Sequence, residues 1–150
     1  LESMSRYGVS SNQVNLEITE SAASYDQSVM SENLEQLSAA GITFSLDDYG
    51  TGYSNMYRIA ALPLKIVKLD KTFVNNQNSK MWTILQNTVR MIKDLNMEIV
   101  VEGIETEEMV KKFSDLKCDF IQGYFFSKPI PQREFVEFID RWNNRQKVNA

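Results

Sequence analysis

Glu17, Glu20, Asp47, Asp48, Lys68, Glu102, Glu105 and Gln122 share one circumstance: each lies within or just past a short apolar run. Val14 to Ile18 carries Glu17 and leads to Glu20. Ile42 to Leu46 feeds straight into Asp47 and Asp48, and Leu64 to Leu69 carries Lys68 and ends at Asp70. Ile99 to Val101 is followed by Glu102 and Glu105, and Phe120 to Ile121 by Gln122. Carboxylates from several chain positions supply the hard oxygen ligands that divalent ions such as Mg²⁺ favour. With one lysine among them the set reads as a divalent-metal site, in which Asp47 can bridge two ions. Taken singly, each acidic residue reads as readily as a helix cap or a solvated loop charge. Lys68 on its own reads as a partner of Asp70, and Gln122 as a loop tie. The adjacent pair Asp47-Asp48 resists that treatment, because no cation stands beside it in sequence.

Chemistry of this kind needs elements to bring the residues together. The apolar runs read as strands over 14–18, 42–47, 64–69, 97–101 and 118–122. Helical spacing covers 26–40, with Met30, Leu34 and Leu37 on one face and Gly41 closing it. A short helix over 55–61 stops before Pro63. The longest, 79–95, aligns Met81, Leu85, Thr88, Ile92 and Leu95. Another, 106–116, opens on Thr106 with Glu107 and Glu108 in its first turn. The last, 132–143, presents Phe135, Phe138, Ile139 and Trp142, and the polar residues beyond it read as a frayed tail. Residues 1–8 read as the tail of a helix closing at Gly8.

The loop Asp48-Tyr49-Gly50-Thr51-Gly52-Tyr53-Ser54 is rich in glycine but has neither the P-loop nor the dinucleotide-binding spacing. Strict alternation of strand and helix predicts an α/β fold with parallel strands. The C-terminal strand ends of such a sheet open onto one face, where these folds place their chemistry. Five β/α units fall short of a full barrel, which takes roughly 200 residues or more. Two architectures remain: a compact open sheet, or a partial TIM-like (β/α) barrel.

Composition narrows the function classes. The 150 residues are 43% hydrophobic and 24% charged, as in an ordinary globular domain. A net charge of −4 speaks against broad adhesion to nucleic acid polymers or anionic lipid. The chain has no histidine, which removes Ser-His and Cys-His triads and most zinc sites. Cys118 is the single cysteine and reads as a small buried hydrophobe. That usage suits a reducing cytoplasm. No apolar run reaches the roughly 18 residues a membrane helix needs, and no signal-peptide pattern is visible. The first residue is Leu1, inside a helix-like stretch, so the chain reads as a piece of a longer protein.

Five segments carry a family resemblance. They are Leu16-Glu17-Ile18-Thr19-Glu20-Ser21, Asp47 to Ser54, Pro63-Leu64-Lys65-Ile66-Val67-Lys68-Leu69-Asp70, Val101-Glu102-Gly103-Ile104-Glu105-Thr106, and Gln122-Gly123-Tyr124-Phe125-Phe126-Ser127-Lys128-Pro129. In this order they resemble EAL domains, the bacterial signalling phosphodiesterases that hydrolyse cyclic di-GMP. The resemblance implies a TIM-like barrel, two Mg²⁺ or Mn²⁺ ions, cyclic di-GMP as substrate and a homodimer. It implies Glu17, Asp47 and Asp48 as metal ligands, with Asp47 bridging. Lys68 matches the lysine that contacts the attacking water, and Glu102 the glutamate that serves as general base or metal ligand. Glu20 matches the residue anchoring the glycine-containing loop, and Glu105 and Gln122 match positions that support substrate or water.

The family's Glu-Ala-Leu segment and its metal-binding asparagine should precede Leu1. Residues 1–150 are therefore expected to be the C-terminal part of one EAL domain, inactive alone, from a parent that is an active phosphodiesterase and that other domains can tether to a membrane. The competing expectation is a degenerate module that senses the dinucleotide or docks on a partner. Degeneracy shows as lost carboxylates, and here the aspartate pair and Glu102 are all present.

Overall fold

A computed structural model describes residues 1–24, 27–51, 56–75 and 78–148. The Gly52-Tyr53-Ser54 part of the glycine loop lies outside them. Five strands form one sheet: β1 (Asn15–Thr19), β2 (Thr43–Tyr49), β3 (Ile66–Leu69), β4 (Glu98–Val101) and β5 (Phe120–Ile121). The helices are α1 (Glu2–Tyr7), α2 (Gln27–Ala39), α3 (Met56–Ala61), α4 (Lys71–Val74), α5 (Ser79–Asp94), α6 (Glu107–Asp115) and α7 (Gln132–Val148). Short 3₁₀ turns occupy Ser11–Gln13 and Ala22–Ser24. All four strand pairings are parallel, and the spatial order is β1-β2-β3-β4-β5. A doubly wound sheet would reverse its order at a switch point. This one never reverses, which is the winding of a barrel.

That winding leaves one packed face and one open face. Phe44, Leu46, Val67, Leu69, Ile99 and Val101 are fully buried, in a core that includes Leu85, Val89 and Ile92 of α5 and Phe113 of α6. Fully burying one such side chain stabilises by about 1.5–3 kcal/mol relative to leaving it exposed. Their neighbours in the alternation, among them Asp47, Ile66, Lys68, Glu98 and Val100, are only half-buried. Near the strand starts this face is polar: Asn15 donates to Thr43 Oγ1 at 3.0 Å, and the Ser45 hydroxyl donates to Asn15 Oδ1.

Several boundaries differ from the sequence reading. β2 runs on through Tyr49, two residues into the expected glycine loop. β5 keeps a ladder over two residues only. α4 was not foreseen, because Thr72, Phe73 and Val74 favour strands. Its cap is the reason it forms: Asp70 accepts from the Thr72 backbone N–H at 2.8 Å and the Thr72 hydroxyl at 2.6 Å. α7 continues to Val148 instead of fraying after 143, since Arg145, Gln146 and Lys147 are good helix formers and no Gly or Pro intervenes. The stripe foreseen on α5 holds at Leu85, Thr88 and Ile92, whereas Leu95 is its exposed C-cap.

Candidate functional site

Strand ends position the cluster, and one break in alternation makes room for the aspartate pair. In an unbroken strand Asp47 and Asp48 would point to opposite faces. Leu46 pairs with Val67 and Tyr49 with Leu69, so β2 has one residue more than β3 across the same stretch. The bulge lies where Asp48 adopts a left-handed φ of 58°. Its effect is visible at Tyr49, which is buried like Leu46 and meets Phe73 edge-on at 6.2 Å. The carboxylate of Asp48 is thereby released from following Leu46 into the core.

The Lys68 ammonium stands at the centre. It lies 2.8 Å from Asp47 Oδ1, 2.9 Å from Glu17 Oε1 and 3.0 Å from Glu102 Oε1. Lys68 is 12% exposed, Glu102 18%, Asp47 22% and Glu17 51%. Glu17, Asp47 and Lys68 come from β1, β2 and β3, and Glu102 directly follows β4. Burial works against the lysine's charge, but the contacts with Asp47, Glu17 and Glu102 outweigh it and hold its pKa above the ordinary lysine value. Asp47 Oδ1 is buried and receives no hydrogen bond of acceptable direction, so its short contact with Lys68 is an ion pair without a directional bond. The alternative reading of Lys68 as a partner of Asp70 is not what forms; Asp70 caps α4 instead.

The other candidates surround this centre. Glu20 is buried; its Oε2 accepts from the Gly50 backbone N–H at 3.2 Å, and its own N–H donates to the Asp47 carbonyl at 3.1 Å. Gly50 has φ 101°, and a Cβ there would lie 2.8 Å from the Phe73 ring. Glu105 and Gln122 share with Glu102 a cavity of about 230 Å³ that Asp70, Lys71 and Tyr124 also line. Gly123 also lines it and packs so closely on the next loop that a Cβ there would come within 2.0 Å of the Ile104 carbonyl oxygen. Sequence reasoning did not single out Lys71 or Tyr124. Their signal was position alone, one just past β3 and one just past Gln122. Asp48 makes none of the contacts to Lys68.

The donor set suits a hard divalent ion: three carboxylates converge and one buried oxygen lacks a hydrogen bond. Their present arrangement is set by the ammonium. Among the described residues no three carboxylates are grouped as ligands of an ion. The same residues show no helix long and apolar enough to cross a membrane.

A single-wound parallel sheet with carboxylates and a lysine at its strand ends defines a barrel-type α/β domain. The EAL domain model matches residues 1–129, and the chain belongs to that family, whose fold is TIM-barrel-like. It is 35% identical over 136 residues to the bifunctional diguanylate cyclase/cyclic di-GMP phosphodiesterase MucR of Pseudomonas aeruginosa, covering 89% of this chain and 20% of MucR. The solved cyclic di-GMP complex of the MucR phosphodiesterase superposes with a TM-score of 0.83 at 34% identity, over 89% of this chain and 55% of that one. A manganese and cyclic di-GMP complex of Klebsiella pneumoniae BlrP1 gives 0.78 at 28% identity, over 85% of this chain and 33% of that one. The chain thus spans only about a fifth of the length of curated relatives such as MucR.

Proposed function

We propose that the domain to which these residues belong hydrolyses cyclic di-GMP to linear diguanylate in a metal-dependent reaction. One observation carries the reading: Glu17, Asp47 and Glu102 converge on Lys68 at one end of four successive strands. MucR and BlrP1 were both solved with cyclic di-GMP, and BlrP1 with manganese as well. Mg²⁺ or Mn²⁺, two ions in the intact domain, supplies charge stabilisation and an activated water when bound. Glu17, Asp47 and Asp48 would hold the ions, Asp47 contributing to both. Lys68 steadies the attacking water by donating to it, and Glu102 accepts the water's proton. The water oxygen bonds to phosphorus as one phosphorus–ribose oxygen bond breaks, opening the ring, and the departing ribose oxygen takes up a proton from solvent. Glu20 fixes the Gly50 loop, while Glu105 and Gln122 face the substrate from the adjoining cavity.

Residues 1–150 are read as the C-terminal part of one EAL domain that pairs as a homodimer, with further barrel strands supplied by segments outside these residues. Its place is the cytoplasm, in line with a lone unpaired cysteine. Turnover by the chain alone is expected to be negligible; turnover with Mn²⁺ comparable to that of a complete domain refutes that part. The test of the mechanism is Asp47→Asn in the complete domain, with linear product followed by chromatography. The expected result is a loss of at least about a hundredfold, because an amide cannot replace a bridging carboxylate's charge. Melting temperatures measured with chelator should match, and retained turnover would sink the bridging role.

A second reading, binding of cyclic di-GMP without turnover, draws on the carboxylates being arranged around an ammonium. A complete domain that binds the dinucleotide yet releases no linear product with Mn²⁺ selects it.

A further inference from the structure

Resting on the metal reading above, we propose that Lys68 is an internal counter-ion that competes with a divalent ion for Glu17 and Asp47 while also pairing with the proton-accepting Glu102. The three carboxylates bring three negative charges to one point, and the ammonium offsets one of them. Its distances of 2.8 to 3.0 Å are those of direct ion pairs made simultaneously with residues from three other chain segments. The strand ends are thus held together by the side chain that occupies the charge centre.

A divalent ion wants the same oxygens. Mg²⁺ holds them at about 2.0–2.1 Å, and Ca²⁺ at about 2.3–2.6 Å. An ammonium already at hydrogen-bond distance from all three would then face a like charge at close range in a partly desolvated site. Metal entry therefore requires the Lys68 head to leave at least one carboxylate. The lysine side chain suits that move, being a compact charge on a flexible four-carbon stem. Asp47 is one of the carboxylates the ammonium must release, its buried Oδ1 lying 2.8 Å from Lys68 Nζ. The consequence is a site that stays assembled without metal and binds metal more weakly than its carboxylates alone would.

The probes are Mn²⁺ and Mg²⁺ without nucleotide, on the complete domain and on its Lys68→Met and Lys68→Gln variants. Calorimetry should show both variants binding Mn²⁺ at least about tenfold more tightly, since a unit positive charge within a few ångströms has been removed. With chelator present both should melt below the parent domain, and saturating Mn²⁺ should narrow the gap. Should the variants not fold, the parent domain still decides: the ¹⁵N signal of the Lys68 ammonium should move as Mg²⁺ is titrated. Equal Mn²⁺ affinities, or a Lys68 signal unmoved at Mg²⁺ saturation, overturn the competition and leave the metal reading standing. If neither parent nor variants bind Mn²⁺, both fall.

Discussion

Asp48 holds a backbone conformation that side chains with a Cβ resist, at the one point where β2 gains a residue against β3. A left-handed conformation costs an ordinary L-residue about 1–2 kcal/mol, aspartate less than most, and glycine almost nothing. Asp48→Ala should therefore lower stability by about 1 kcal/mol while Asp48→Gly leaves it near the parent value, and both should weaken binding of a second ion. Equal denaturation midpoints for the two variants would mean that the bulge is not held by backbone preference. Residue identity and strand-end position were legible in the sequence for Glu17, Asp47, Lys68 and Glu102. Their mutual contacts were not, because those depend on the rotamers that four strands impose together. Lys68 also fixes a pH dependence. A lysine pKa raised on folding adds stability below the unfolded value of about 10.4 and loses it as pH rises through the folded value. The cluster's contribution should accordingly be flat from neutral to mildly alkaline pH, and equilibrium unfolding at several pH values checks it.

Asp119 shows how the far end of the sheet is fastened. β5 pairs with β4 only from Phe120, so the Ile99 backbone N–H donates instead to the Asp119 carboxylate at 2.7 Å, and the same side chain pairs with Lys93 of α5. Burial pushes the Asp119 carboxyl up, but the bonds from Lys93 and Ile99 prevail and hold it below its usual value of 3.8. A depressed carboxyl contributes stability above the unfolded pKa and loses it as pH falls through the folded one. Asp119→Ala should cost roughly 1–3 kcal/mol at neutral pH, with the deficit shrinking once the pH drops below the usual carboxylate range. Urea midpoints at neutral and acidic pH decide this; a deficit independent of pH would mean that the charge is not what matters. Nearby, Cys118 has its thiol pushed up by burial to about 11, as befits a structural rather than a reactive cysteine. Helix and strand existence followed from apolar periodicity. α4 did not, because a helix of four residues has no periodicity to read, and only its Asp70 cap gave a signal.

At the scale of the whole molecule, periodicity could predict parallel strands but not the order in which they lie, so an open sheet and a partial barrel looked alike. The monotonic order settles the winding, and with it an open face and two unpaired sheet edges among the described residues. The β5 edge carries apolar surface that a solvated edge would avoid. Phe120 and Phe135 are each 51% exposed and Val136 55%, beside a cavity of about 660 Å³ that Phe120, Ile121, Phe126 and Phe138 help to line. α7 leans over it through Trp142, 5.7 Å from Phe126 and stacked on Phe138. Apolar patches of this kind mark surfaces that seek a covering partner. The chain studied alone should self-associate as its concentration rises, seen as a concentration-dependent sedimentation coefficient. Phe135→Asp should suppress this, since a carboxylate buried in an apolar contact is strongly disfavoured, and should leave melting of the dilute chain near the parent value because Phe135 is exposed. A chain that sediments as a monomer at every concentration would show that its own fold already shields this edge, and association unchanged by Phe135→Asp would move the contact to the β1 side, where Leu16 is 40% exposed.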